Sequence, residues 1–382
     1  MIESIRCEGY KAFNLPLEIR LRPITVFFGK NNSGKTTLAR LPIAIISGLI
    51  NPNTFYSTFA NGISFGSSFT EIANAGNPHP AIFYGLTWSE QRSLSVRLQH
   101  ISTSEGRDRV QPIYVEIDGH DETFQLDEPM TSTARSMVEQ RMPAAAKQAL
   151  GRNIESLEIL LDSFLHIASS RPKVRTLYEA RPASGWSVEE VPYQLQSNSS
   201  LLQMVDRWYQ NYLDGAGVDI DQAAFAFKLI EQHGDIAVNF AQSGRGPQSA
   251  IAVVTLLSAV ANGNKDASLV VIEEPEAHLH PSVHGDVADL TVAASLNSQL
   301  IIETHSENFL LRLRRRIAEK ILSPSQLALY FVDESHRVSE VPLDEFGTTS
   351  HWPVGVFESD IEEARAIIDA RLAAISDRGD AL

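Results

Sequence analysis

Val26-Phe27-Phe28-Gly29-Lys30-Asn31-Asn32-Ser33-Gly34-Lys35-Thr36-Thr37 is the stretch whose reading decides the fold. The apolar run Ile24–Phe28 predicts a strand, Gly29 opens a glycine-containing loop, and a helix follows through Thr37-Leu38-Ala39. The spacing fits G-x-x-x-x-G-K-[ST], in which backbone N–H groups at a positive helix N-terminus wrap a phosphate. In that pattern Lys35 reaches the β- and γ-phosphates and the Thr36 hydroxyl ligates magnesium. Gly29, Asn31, Asn32, Ser33, Gly34, Lys35, Thr36 and Thr37 are therefore the candidate nucleotide-binding residues, with ATP and Mg²⁺ the implied ligands.

Three later segments read as companions of that loop. Leu269-Val270-Val271-Ile272-Glu273-Glu274-Pro275 predicts a strand buried on both faces, with two acids emerging at its carboxyl end. Ligands of parallel sheets bind at that edge. Glu273 is expected to hold the Mg²⁺ shell, and Glu274 to orient or deprotonate the attacking water. The plainer alternative is a strand that ends in solvated acids. Ile301-Ile302-Glu303-Thr304-His305-Ser306 is a further buried strand, and it delivers His305 to the same edge, where a γ-phosphate contact outweighs a structural histidine. Ser243-Gly244-Arg245-Gly246-Pro247-Gln248 precedes a long apolar helix; it reads as an anion site or as an ordinary capped helix start.

Elsewhere, Leu94, Val96 and Leu98, then Ile113, Val115 and Ile117, alternate with polar residues around the turn Asp118-Gly119-His120-Asp121, predicting an antiparallel patch within 81–127. Residues 130–166 read as helical, with Leu157, Leu160, Leu161 and Leu165 at helical spacing, and a helix is expected at Leu201–Leu213. Ile361, Ala364, Ile368, Leu372 and Ile375 predict a last amphipathic helix. The chain has 382 residues, a net charge of −15 and one cysteine, Cys7. The acidity excludes a general nucleic-acid coat but leaves room for a local basic groove. A single cysteine excludes a disulfide framework and suits a reducing cytoplasm. No apolar stretch reaches the ~18–20 residues of a membrane span.

The ordered set G-K-N-N-S-G-K-T-T, S-G-R-G-P-Q, V-V-I-E-E-P-E-A-H-L-H-P and I-I-E-T-H-S resembles the ABC-type ATPase heads of the RecF, SMC and OLD-like group. Gly9-Tyr10-Lys11-Ala12-Phe13 and Trp352-Pro353 add a likeness to standalone bacterial ATPases of the AAA family. The resemblance covers about 1–130 and 235–355. It implies a mostly parallel α/β P-loop sheet with an antiparallel patch and an inserted helical lobe. It also implies that Ser243 and Gly244 form a signature loop contacting ATP held by an opposite subunit. Glu276-Ala277-His278-Leu279-His280 then lies at the dimer seam, and His305 is the switch histidine. Glu273 stands where the family usually has Asp, Arg245 and Pro247 depart from the usual Gly-Gly signature, and no Q-loop glutamine is placed.

The expected division is 1–130 as the first part of the head, 131–234 as a mainly helical insertion or lid, 235–355 as the second part, and 356–382 as a C-terminal helix and tail. The implied activity is ATP hydrolysis by a homodimer that sandwiches ATP–Mg²⁺, in DNA maintenance or antiphage defence. The alternative is a nucleotide-gated switch with little turnover controlling a separately encoded effector. No coiled-coil arms and no nuclease are expected. Weaker constellations remain. His278, His280 and His284 with Asp286 carry metal-ligand types. Arg312, Arg314, Arg315 and Arg316, and the Arg171–Arg181 cluster, read either as ion-paired faces or as phosphate contacts.

Overall fold

The apolar runs flanking the Gly-rich loop assemble into one sheet. The computed structural model describes residues 1–74, 76, 79–89, 92–102, 108–124, 133–349 and 352–353. Its central sheet runs in the order Phe164–Ile167, Leu269–Glu273, Gln299–Thr304, Ile24–Gly29, Leu327–Val332, Val338–Glu340. All pairings are parallel except the last. The register sets Glu273 beside Glu303 and Thr304 beside Phe28, so three strands end together where the loop begins.

Alternation explains why these strands are apolar throughout. Phe27, Val271, Ile301 and Tyr330 join one core with helix Lys35–Ile50. Their neighbours Val26, Phe28, Val270, Ile272 and Ile302 join another with helices Arg245–Ala261, Pro281–Ala294 and Glu307–Ala318. A sheet covered on both faces needs hydrophobic residues at every position. Trp352 closes part of the second core by stacking on Phe28 at 5.5 Å between ring centres.

The antiparallel patch is a separate six-stranded sheet ordered Leu17–Arg20, Ile2–Glu8, Ala81–Trp88, Arg92–Ser102, Asp108–Ile117, His120–Thr123. Leu94, Val96, Leu98, Val115 and Ile117 face inward as the alternation predicts, and Asp118 and Gly119 turn with positive φ. Ile113 is only half-buried. A register shift between Arg97 and Leu98 leaves it opposite no partner, since Tyr114 pairs Arg97 and Pro112 pairs Leu98.

The region 131–234, expected as a mainly helical insertion or lid, holds both helices and strands. Helix Ala144–Asp162 buries Leu150, Ile154 and Leu157 in the core that holds the antiparallel sheet. Phe164–Ile167, read as the tail of a helix, is instead the edge strand beside Leu269–Glu273. A segment of 4 residues is too short to show a periodicity of its own, and Leu165 happens to fall on the preceding helical pattern. Helices Val191–Ser197 and Ser199–Tyr212 do form, next to a small antiparallel sheet of Tyr178–Glu179, Ala226–His233, Gly217–Gln222 and Ile236–Asn239. The C-terminal helix expected around Ile361–Ile375 lies outside the described residues. Among the described residues no helix is long and apolar enough to cross a membrane.

Candidate nucleotide site

The Gly-rich loop owes its shape to two close approaches. Gly29 has φ +144°, and a Cβ there would sit 2.3 Å from the Val332 carbonyl oxygen of the adjacent strand. Gly34 has φ +99°, and its Cβ would come within 2.9 Å of the Phe13 ring. Gly34 also starts helix Lys35–Ile50, and no side chain caps that helix. Uncapped first-turn N–H groups, backed by the helix dipole, suit a phosphate. Ser33 and Lys35 are buried, and Lys35 Nζ folds back to donate to the Lys30 carbonyl at 2.5 Å. Burial lowers the Lys35 pKa, opposed by the nearby Glu303 and Glu274 carboxylates. His336 braces the loop from outside, its Nδ1–H donating to the Ser33 carbonyl at 2.9 Å with its ring edge-on to Phe13.

Across the sheet edge stand the acids. Glu274 has φ +43°, which is strained for a residue with a side chain. Two partners hold it there. Its N–H donates to the Glu303 carbonyl at 2.8 Å, and its own carbonyl accepts from Arg171 Nη2 at 2.7 Å. Arg171 also donates to the Glu273 carbonyl at 3.0 Å and to Ser249 Oγ, on helix Arg245–Ala261, at 2.6 Å. Ligand-capable atoms of Glu274, Glu303 and His305 lie within 4.8 Å of one another. Thr36 Oγ1 donates to Glu303 Oε1 at 2.7 Å. Burial, together with Glu273 and Glu274, pushes the Glu303 carboxyl up to about 7 despite the Thr36 bond. Burial and the Lys35 charge lower the His305 pKa. Hydroxyl and carboxylate oxygens of this kind suit a hard cation such as magnesium.

Glu273 is enclosed by partners of its own. Its fully buried carboxylate accepts Arg40 Nε at 2.5 Å and Nη2 at 2.7 Å, His166 Nε2–H at 2.8 Å and the Ser169 N–H at 3.3 Å. Burial alone would raise its pKa, but the His166 and Arg40 hydrogen bonds prevail and bring it to about 2. Glu273 thus pairs with Arg40, while Thr36 donates to Glu303. Arg40 lies one helical turn beyond Thr36 on the same face, which brings its guanidinium to the end of the neighbouring strand.

The AAA ATPase domain family model matches residues 182–310, a span running from before the Ser243 loop past His305. The SMC head bound to the C-winged helix domain of ScpA is similar at 15% identity and TM-score 0.54, over 90% of this chain and 98% of that one. The chain shares the fold of that SMC head. The SMC head domain from Thermotoga maritima is also similar, at 10% identity and TM-score 0.43 over 90% of this chain and 99% of that one. So is an SMC head with an extended coiled coil bound to the C-terminal domain of ScpA, derived from Pyrococcus furiosus, at 12% identity and TM-score 0.47 over 97% and 98%. No curated protein matches the sequence.

Ser243 and Gly244 lead into helix Arg245–Ala261. Among the described residues their loop is tied to its own helix, Gln248 Nε2 donating to the Ser243 carbonyl at 2.8 Å, while Ser243 Oγ is buried without a partner. Glu276 is buried; its Oε1 accepts from Thr304 Oγ1 at 2.7 Å and from the His305 N–H at 2.9 Å. The histidine group does not converge on a metal. His280 caps helix Pro281–Ala294, His284 is spent on Ser306 Oγ and the Leu279 carbonyl, and Asp286 pairs with Arg312. The arginine-rich helix buries Leu310, Leu313 and Ile317, while Arg312 and Arg316 pair with Asp289 and Arg315 with Glu319. Of the Arg171–Arg181 cluster, Arg181 pairs with Glu190, and Arg171, which sequence reasoning left between an ion-paired face and a phosphate contact, clamps the Glu274 carbonyl. Arg40, His166, Glu303 and His336 also went unassigned. Glu303 carried a visible signal, an acid directly before Thr304-His305 at a strand end.

Proposed function

We propose that this head binds and hydrolyses ATP, with two copies closing over the nucleotide and separating after hydrolysis. The observation that carries the reading is the convergence of Thr36, Glu274, Glu303 and His305 at one sheet edge above an uncapped, glycine-shaped helix start. Gly29, Asn31, Asn32, Ser33, Gly34 and Thr37 shape the phosphate cradle. Lys35 leaves the Lys30 carbonyl to meet the β- and γ-phosphates. Glu274, clamped in its strained backbone, accepts a proton from the attacking water, and His305, favoured as neutral, hydrogen-bonds the γ-phosphate side. A magnesium ion bound at Thr36 would neutralise charge building on the phosphate oxygens.

Dimerisation is supported by the start of helix Arg245–Ala261, where Gly244 is exposed and no side chain caps the first turn. First-turn N–H groups of that kind suit a phosphate brought by a second copy. Nucleotide binding then favours the pair by mass action. The arginines paired with Asp289, Glu319 and Glu190 are already neutralised, so control of a separately encoded partner is a better-supported output than a broad DNA surface. Phosphate release by the purified protein tests the reading. Steady turnover that Lys35→Ala abolishes is expected; equal release from both proteins would contradict it.

A further inference from the structure

The register that aligns Glu273 with Glu303 sets two carboxylates side by side at the catalytic edge, and their surroundings divide the work. Glu273 is enclosed, its oxygens accepting from Arg40, His166 and Ser169. To reach a metal at Thr36 it would have to abandon a bidentate guanidinium and leave that charge unpaired in a half-buried site. Glu303 ends the next strand and already holds the Thr36 hydroxyl at 2.7 Å. Its oxygens also fall within 4.8 Å of ligand atoms of Glu274 and His305, the two groups nearest the expected chemistry. A cation held by Thr36 therefore meets Glu303 as the nearest carboxylate without any rearrangement of the sheet.

We propose that Glu303, and not Glu273, supplies the protein carboxylate for the magnesium ion that accompanies the nucleotide. The acid has passed from one strand to its neighbour at the same sheet edge, and the vacated role leaves Glu273 to tie helix Lys35–Ile50 to the edge strand Phe164–Ile167 through Arg40 and His166. Glu303 acts on the metal directly or through a bound water; in both arrangements its charge sets how strongly magnesium strengthens nucleotide binding. The proposal rests on the ATP-binding reading above.

The test is equilibrium binding of a fluorescent ATP analogue, in excess Mg²⁺ and in EDTA, to the wild-type chain, Glu303→Gln, Glu273→Gln and Lys35→Ala. Wild type is expected to bind more tightly with Mg²⁺. Glu303→Gln keeps the EDTA affinity and loses about tenfold or more of the Mg²⁺ enhancement, the usual scale for a ligand or its immediate support. Glu273→Gln keeps the enhancement. Glu303→Asp, which retains the charge on a shorter arm, provides a second reading should the glutamine variant not fold; a reduced but measurable enhancement is expected. Full enhancement in either Glu303 variant, or its loss in a folded Glu273→Gln, overturns the assignment. Wild-type protein that does not bind the analogue at all, or binds no better than Lys35→Ala, refutes instead the nucleotide reading on which it rests.

Discussion

Glu273→Gln separates a structural carboxylate from a metal-binding one, because the two roles predict different losses. In the folded chain Glu273 titrates at about 2 rather than its ordinary 4.5. At about 1.4 kcal/mol per unit, that displacement corresponds to roughly 3 kcal/mol of stabilisation at neutral pH. Removing one partner of a buried ion pair costs about 3–5 kcal/mol, and Arg40, 30% exposed, belongs at the lower end because water re-solvates it. Both routes converge on about 3 kcal/mol. Because the folded pKa lies below the unfolded one, the stabilisation is fully present above about 4.5 and is lost as pH falls toward about 2. Urea unfolding of wild type and variant should therefore differ by about 3 kcal/mol at pH 7, and by progressively less below pH 4.5, with or without magnesium. A difference under about 1 kcal/mol at pH 7, or one that does not narrow in acid, refutes the ion-pair assignment.

Arg171→Met removes the donors to the Glu274 and Glu273 carbonyls and to Ser249 Oγ. Since it holds the proposed base rather than the substrate, turnover should fall about tenfold or more with KM little changed, measured by steady-state phosphate release. Gly34→Ala brings a Cβ to 2.9 Å from the Phe13 ring at φ +99°, which an L-residue rarely adopts. It should lose at least about 1 kcal/mol by urea unfolding and weaken nucleotide binding in a titration.

The strands Ile24–Gly29, Leu269–Glu273 and Gln299–Thr304 were legible because a sheet buried on both faces writes itself as unbroken apolar runs. The antiparallel patch was legible through its alternation, apart from Ile113, which the bulge displaces. Phe164–Ile167 was hidden by its brevity and by the helix before it, and with it went the edge of the sheet. The site divides along the same line. Residues carried by local spacing, from Gly29 to Thr37 and at Glu274 and His305, could be read in order along the chain. The partners of Glu273 could not, since Arg40, His166 and Ser169 reach it from three separate segments and only the folded register brings them together. Arg171 was similarly opaque. An arginine in an irregular stretch shows its role only when the carbonyls it clamps are in view.

The central claim, a head that closes over ATP with a second copy, is tested most directly by the mass of Glu274→Gln in solution. Light scattering during size exclusion, with saturating Mg·ATP, should give a dimer that reverts to monomer when nucleotide is removed or when Lys35→Ala is added to the variant. A monomer at saturating Mg·ATP, under conditions where nucleotide is bound, would contradict it.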